Sequence, residues 1–83
     1  MKQIERVQTG VRMERRILKI LKALAQDLDL TLGDLLEGIV LHSFDGKLPF
    51  SRVTLDKIEQ LKQVYGLDLE SSDAHRLRES GEE

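Results

Sequence analysis

Cysteine is absent from the chain, so neither a disulfide framework nor a thiolate metal site can hold it together. Long apolar runs are missing too. None approaches the roughly 20 residues of a membrane span, and the opening MKQIERVQTG lacks the pattern of a signal peptide. A soluble, cytoplasmic protein that does not meet the membrane is the expectation. Histidine is scarce: His42 and His75 make a poor zinc site without cysteine. The Ser, Asp and His of SSDAH stand too close together for a triad without a supporting scaffold. No catalytic residue, metal or cofactor is therefore expected, and the chain is not read as an enzyme.

What remains is a problem of size. Eighty-three residues make one small domain. Such a domain buries only roughly 60% of its unfolded surface, and without staples it gains further buried area by oligomerising.

The net charge of −2 by itself argues against a nucleic-acid binder, but it averages two unlike parts. Residues 1–22 hold seven basic side chains against two acidic ones, a net of +5. Residues 23–83 hold six basic and thirteen acidic side chains, a net of −7. This polarity predicts a basic working end and an acidic remainder, and a dimer would double the local positive charge.

From Arg6 to Met13, RVQTGVRM alternates. Val7, Thr9, Val11 and Met13 fall on one face, and Gln8, Gly10 and Arg12 on the other, the period of a half-buried strand. A lone strand is unstable in water, and no later segment looks like its partner. The period then becomes helical, with Ile17, Ile20, Leu21, Leu24 and Leu28 as the apolar stripe and Lys19, Lys22 and Gln26 opposite. Asp29 suits a left-handed turn. Thr31 followed by Asp34 resembles a helix cap, so a second helix is expected to start there and to carry Leu32, Leu35, Leu36, Ile39, Val40 and Phe44. Its apolar circumference suits a subunit interface, and Gly38 would permit close approach of another backbone. A third helix is expected from a Thr54 cap to a Gly66 stop, followed by an acidic tail that frays beyond Asp73. The implied units are residues 1–46, 47–72 and 73–83.

Strand, helix, capped turn and helix in this order resemble the ribbon-helix-helix family, the Arc, MetJ and CopG class of small bacterial repressors and antitoxins. QTGVRM stands for the strand, ILKILKALAQDL for the first helix and TLGDLLEGIVLHSF for the second, over about half of the chain. The resemblance implies a mainly α homodimer in which one short N-terminal strand pairs antiparallel across the two-fold axis, above two core helices and a third C-terminal helix. Val7, Thr9, Val11, Met13, Ile17, Leu21, Leu24, Leu36, Ile39 and Val40 would form the dimer core. It further implies a transcriptional regulator of duplex DNA, with the two-stranded ribbon in the major groove and Gln8, Gly10 and Arg12 facing the bases. Gly10 offers no side chain at the ribbon's centre. Thr31, Leu32 and Gly33 at the second helix N-terminus would hold a phosphate, joined by Lys2, Arg6, Arg15 and Arg16. Higher oligomers on DNA would follow from the same arrangement. The alternative is a protein-interaction module or antitoxin with weak or no DNA binding. There the third helix, through Leu55, Ile58, Leu61 and Val64, docks a partner protein instead of merely covering the dimer core.

Overall fold

The computed structural model describes residues 1–79 and contains three helices. They are α1 (Arg15–Asp27), α2 (Leu32–Phe44) and α3 (Arg52–Tyr65), followed by a short 3-10 turn at Ser71–Asp73. Each helix begins on a side chain that satisfies its free amides. Glu14 accepts from the N–H groups of Arg16 and Ile17 at 2.8 and 3.1 Å, and Thr31 Oγ1 accepts from Asp34 N–H at 3.1 Å. Ser51 Oγ accepts from Thr54 N–H at 3.3 Å. Such caps occupy donors that have no partner within the helix.

All three helices end alike. A residue in the left-handed region follows the last turn: Asp29 (φ 55°), Gly46 (φ 70°) and Gly66 (φ 66°). One residue further on, the N–H groups of Leu30, Lys47 and Leu67 reach back to the carbonyls of Ala25, His42 and Lys62, each at 2.8 Å. This is the Schellman arrangement, which turns the chain sharply while satisfying otherwise orphaned carbonyls.

α1 is the central element and packs on both α2 and α3. Its Ile20, Leu24 and Ala25 are buried together with Leu35 of α2, and Leu21, Ile39, Phe50, Ile58, Leu61, Tyr65 and Leu67 pack around them. The remaining apolar residues of α2 are less well covered. Leu36 and Ile39 are half-buried, whereas Val40, Leu41 and Phe44 are exposed, Phe44 at 80%. The chain exposes 7606 Å², where a compact chain of this size exposes roughly 5,000 Å². Its radius of gyration is 14.4 Å, against roughly 12 Å for a compact domain of this length.

Two expectations are corrected. Residues 1–14 form no strand, and no strand or sheet occurs among the described residues, so the ribbon of a ribbon-helix-helix fold is not what this chain adopts. The mainly α class stands. Alternation marks which side chains share a face, but a strand persists only where a second strand completes its ladder, and no described segment provides one. Gly10, which loses more conformational freedom on ordering than any other residue type, adds to that cost. The third helix also starts one turn earlier than expected. Ser51 is its cap, and Thr54 lies inside the first turn.

The expected tail at 73–83 is described as far as Glu79, and positions 80–83 lie outside the described residues. No helix of the described residues is long and apolar enough to cross a membrane.

With so little fully buried, the core is sensitive to truncation. Leu24→Ala, at a side chain 2% exposed, should cost about 2–5 kcal/mol and abolish or strongly lower the cooperative thermal melt by circular dichroism. Thr31→Ala should cost only about 1 kcal/mol and leave a melt at lower temperature.

Candidate nucleic-acid interface

The basic residues lie on two neighbouring features, the arm formed by residues 1–14 and the outer face of α1. The arm has no regular structure. Val7 and Val11 are 78% and 74% exposed, Met13 is less so, and Gln8, Thr9, Gly10 and Arg12 are all exposed. Of the expected dimer core, only Leu24 is buried within the chain. Ile17, Leu21, Leu36 and Ile39 are half-buried, while Val7, Thr9, Val11, Met13 and Val40 face outward. A Cβ added at Gly10 or at Gly38 would meet nothing within 4 Å, so no backbone approaches either glycine closely within the chain.

Arg6 and Arg12 of the arm and Arg16 of α1 are not free cations. Arg6 forms a fork on Glu37 of α2, with Nε to Oε2 at 3.0 Å and Nη2 to Oε1 at 2.9 Å, and Asp34 lies 3.9 Å away. Planar guanidinium and planar carboxylate match in this geometry, which makes it stronger than a single ionic hydrogen bond. The fork raises the Arg6 pKa above its ordinary value, and hydrogen bonding from Arg6 lowers that of Glu37. Arg12 bonds Glu79 at 2.6 Å. Arg16 bonds Glu14 through Nε at 3.0 Å, and its Nη1 donates to Gly66 O at 2.8 Å and to Asp68 at 3.1 Å. Desolvation disfavours the Glu14 carboxylate, but the N–H groups of Ile17 and Arg16 and the Arg16 side chain outweigh it and hold its pKa below the ordinary value.

The outer face of α1 differs. Arg15, Lys19 and Lys22 are exposed at i, i+4 and i+7, and none lies within ion-pairing distance of a carboxylate among the described residues. Lys19 Nζ sits 5.8 Å from the centre of the Tyr65 ring, within range of a cation–π contact. Lys2 on the arm is also exposed. Among the cations of the basic end, these have no carboxylate partner among the described residues.

The N-terminus of α2 is a crowded place for a phosphate. Leu32 and Gly33 open the helix and Thr31 caps it, but Asp34 and Glu37 set two carboxylates on its first turns and Arg6 lies against them. His42 Nδ1 lies 2.7 Å from Gly38 O of its own helix, and the described residues contain no cluster of side chains that could hold a metal. Neither Tyr65 nor the carboxylates Glu37, Asp68 and Glu79 were legible as parts of this region, because each arrives from a distant part of the chain. Glu14 was more accessible to reasoning, as an acidic residue immediately before a helical stripe.

Comparison with protein-family models, with curated proteins and with solved structures gives no match.

The two lowered carboxylates predict an acid response. A group whose pKa is depressed by folding contributes stability above its unfolded value and loses it as pH falls through the folded one. The melting temperature should therefore fall as pH drops below the ordinary glutamate value of 4.5. Glu14→Gln and Glu37→Gln should each melt lower at pH 7 and show a shallower decline toward pH 3, followed by circular dichroism.

Proposed function

We propose that the chain acts as a homodimer that binds duplex DNA through its basic end, as a cytoplasmic regulator of transcription. The observation that carries this reading is the segregation of charge. Arg15, Lys19 and Lys22 form one exposed row without carboxylate partners among the described residues, in a chain that is acidic elsewhere. Successive members of the row rise about 6 and 4.5 Å along the helix, a spacing suited to following a phosphate backbone. Such contacts release counterions and read no sequence, so they give affinity and strong salt dependence before they give specificity.

The dimer is supported by the surface of α2. Val40, Leu41 and Phe44 form an exposed apolar surface on a helix whose sequence is apolar over most of its circumference. Much of the chain's exposed area lies on residues 1–13, all of them exposed, so support for the interface comes from the apolar face of α2 itself. A standard interface covers roughly 800 Å² per partner. A second copy of the chain is the proposed occupant, and a two-fold axis at α2 would join two basic ends into one field. Helix, capped turn and helix, the helical part of the family pattern, support this reading as well. The strand has no place in it.

A second reading, a protein-interaction module or antitoxin with weak DNA binding, is favoured by the carboxylates that already hold Arg6, Arg12 and Arg16. The exposed Val53 and Val64 of α3 would then meet the partner.

Sedimentation at micromolar concentration should give a dimer, and a monomer would remove the interface argument. Arg15→Ala, or Lys19→Ala with Lys22→Ala, should weaken binding to all duplexes alike. Each lost phosphate contact should reduce the slope of log K against log salt by about 0.9. Unchanged affinity and slope in these variants would move the reading to the second.

A further inference from the structure

The acidic end of the chain folds back onto the basic one. After Gly66 closes α3, the chain runs beside α1, where Arg16 Nη1 donates to Gly66 O at 2.8 Å and to Asp68 at 3.1 Å. Leu67 and Leu69 are half-buried and fix this stretch. The 3-10 turn at Ser71–Asp73 follows, held by Glu70 N–H donating to the Asp73 carboxylate at 2.8 Å. His75, in the left-handed region at φ 68°, and the bond from Arg76 N–H to Asp73 O at 3.0 Å then redirect the chain. Leu77, Arg78 and Glu79 come to lie across Arg12–Arg16, around a cavity of about 590 Å³, and the Glu79 carboxylate bonds Arg12 at 2.6 Å.

We infer that residues 67–79 are an autoinhibitory strap, in which Asp68 and Glu79 occupy the guanidinium groups of Arg16 and Arg12 until a polyanion displaces them. This rests on the DNA-binding reading and names its regulation. Carboxylate and phosphate compete for the same N–H donors. Glu79 takes those of Arg12 Nη2 and Asp68 shares Arg16 Nη1, so a phosphate meets fewer donors and a nearby negative charge while the strap is in place. The two contacts differ in strength by their setting. Arg16 is 33% exposed and, beside the 81% exposed Asp68, also donates to the backbone carbonyl of Gly66. Arg12 and Glu79, at 83% and 47% exposed, have only each other among the described residues. A pair in that much water is weak and screened by salt. The strap therefore has a base fixed at Gly66 O and by Leu67 and Leu69, and a tip at Glu79 that lifts readily. Residues 67–79 carry Asp68, Glu70, Asp73 and Glu79 against Arg76 and Arg78, so lifting the tip also moves negative charge away from the approaching duplex.

The test uses the full chain and two readouts. Because the chain has no cysteine, Arg78→Cys carries a single spin label at a known place. In the free protein the label should broaden the amide signals of residues 10–16, and a random-sequence 20-base-pair duplex added at low salt should restore them. Glu79→Gln should bind that duplex about two- to five-fold more tightly than the parent, and Asp68→Asn with Glu79→Gln more tightly still. Asp56→Asn makes the same change in net charge at the start of α3, where Asp56 faces Arg52, and should bind like the parent. Equal gains from Glu79→Gln and Asp56→Asn, or no broadening in the free protein, would overturn the strap. Broadening that persists with the duplex bound would overturn its displacement. If no variant, nor the parent, binds at low salt, the DNA reading fails instead, and the label on the free protein still decides whether the strap exists.

Discussion

Ile20, Leu24 and Ala25 of α1 meet Leu35 of α2, and these are the only buried side chains among the described residues. Everything else in the fold depends on that contact, because α1 alone packs on both of the other helices. A cluster this small places the chain near the margin at which burial offsets the entropy of ordering. The apolar surface of α2 thus has energetic meaning: covering it in a dimer would add the burial that a single chain fails to reach.

Much of the helical architecture was legible. Ile17, Leu21, Leu24 and Leu28 recur at helical spacing, and local hydrogen bonding fixes the ends, so Thr31, Asp29 and Gly66 were identifiable by chemistry that reaches only a few residues. The start of α3 was missed because Ser51 and Thr54 are both competent caps, and the earlier one takes the helix. The arm's alternation points to a strand that the chain does not form, and the reason lies deeper. Alternation at Val7, Thr9, Val11 and Met13 is a local pattern, whereas strand formation is a property of two segments. The site was legible by halves: the basic stretch is plain in the sequence, but its neutralisation by Glu37, Asp68 and Glu79 joins residues 31, 52 and 67 positions apart.

The charges form a graded system, and the grade follows from who meets whom. Arg6 is locked by a fork, Arg16 is shared among a carboxylate at its own cap and two groups after α3, and Arg12 is held by one exposed pair. Arg15, Lys19 and Lys22 are exposed on one helix face, without a carboxylate partner among the described residues. On the proposed reading, a polyanion would meet the exposed cations first and compete for the paired ones afterward, with electrostatic attraction at long range and exchange of hydrogen-bond partners at short range.

The helix ends carry a consequence of another kind. A Cβ added at Gly46 or Gly66 would touch nothing within 4 Å, yet both residues hold a positive φ that disfavours any side chain. Their restriction is one of torsion and not of room. In a map of tolerated substitutions they would stand out as surface positions where most side chains cost roughly 1–2 kcal/mol, among exposed neighbours such as Asp45, Lys47 and Gln63 that accept many. Asp29, in the same backbone region, would invert that pattern by welcoming glycine.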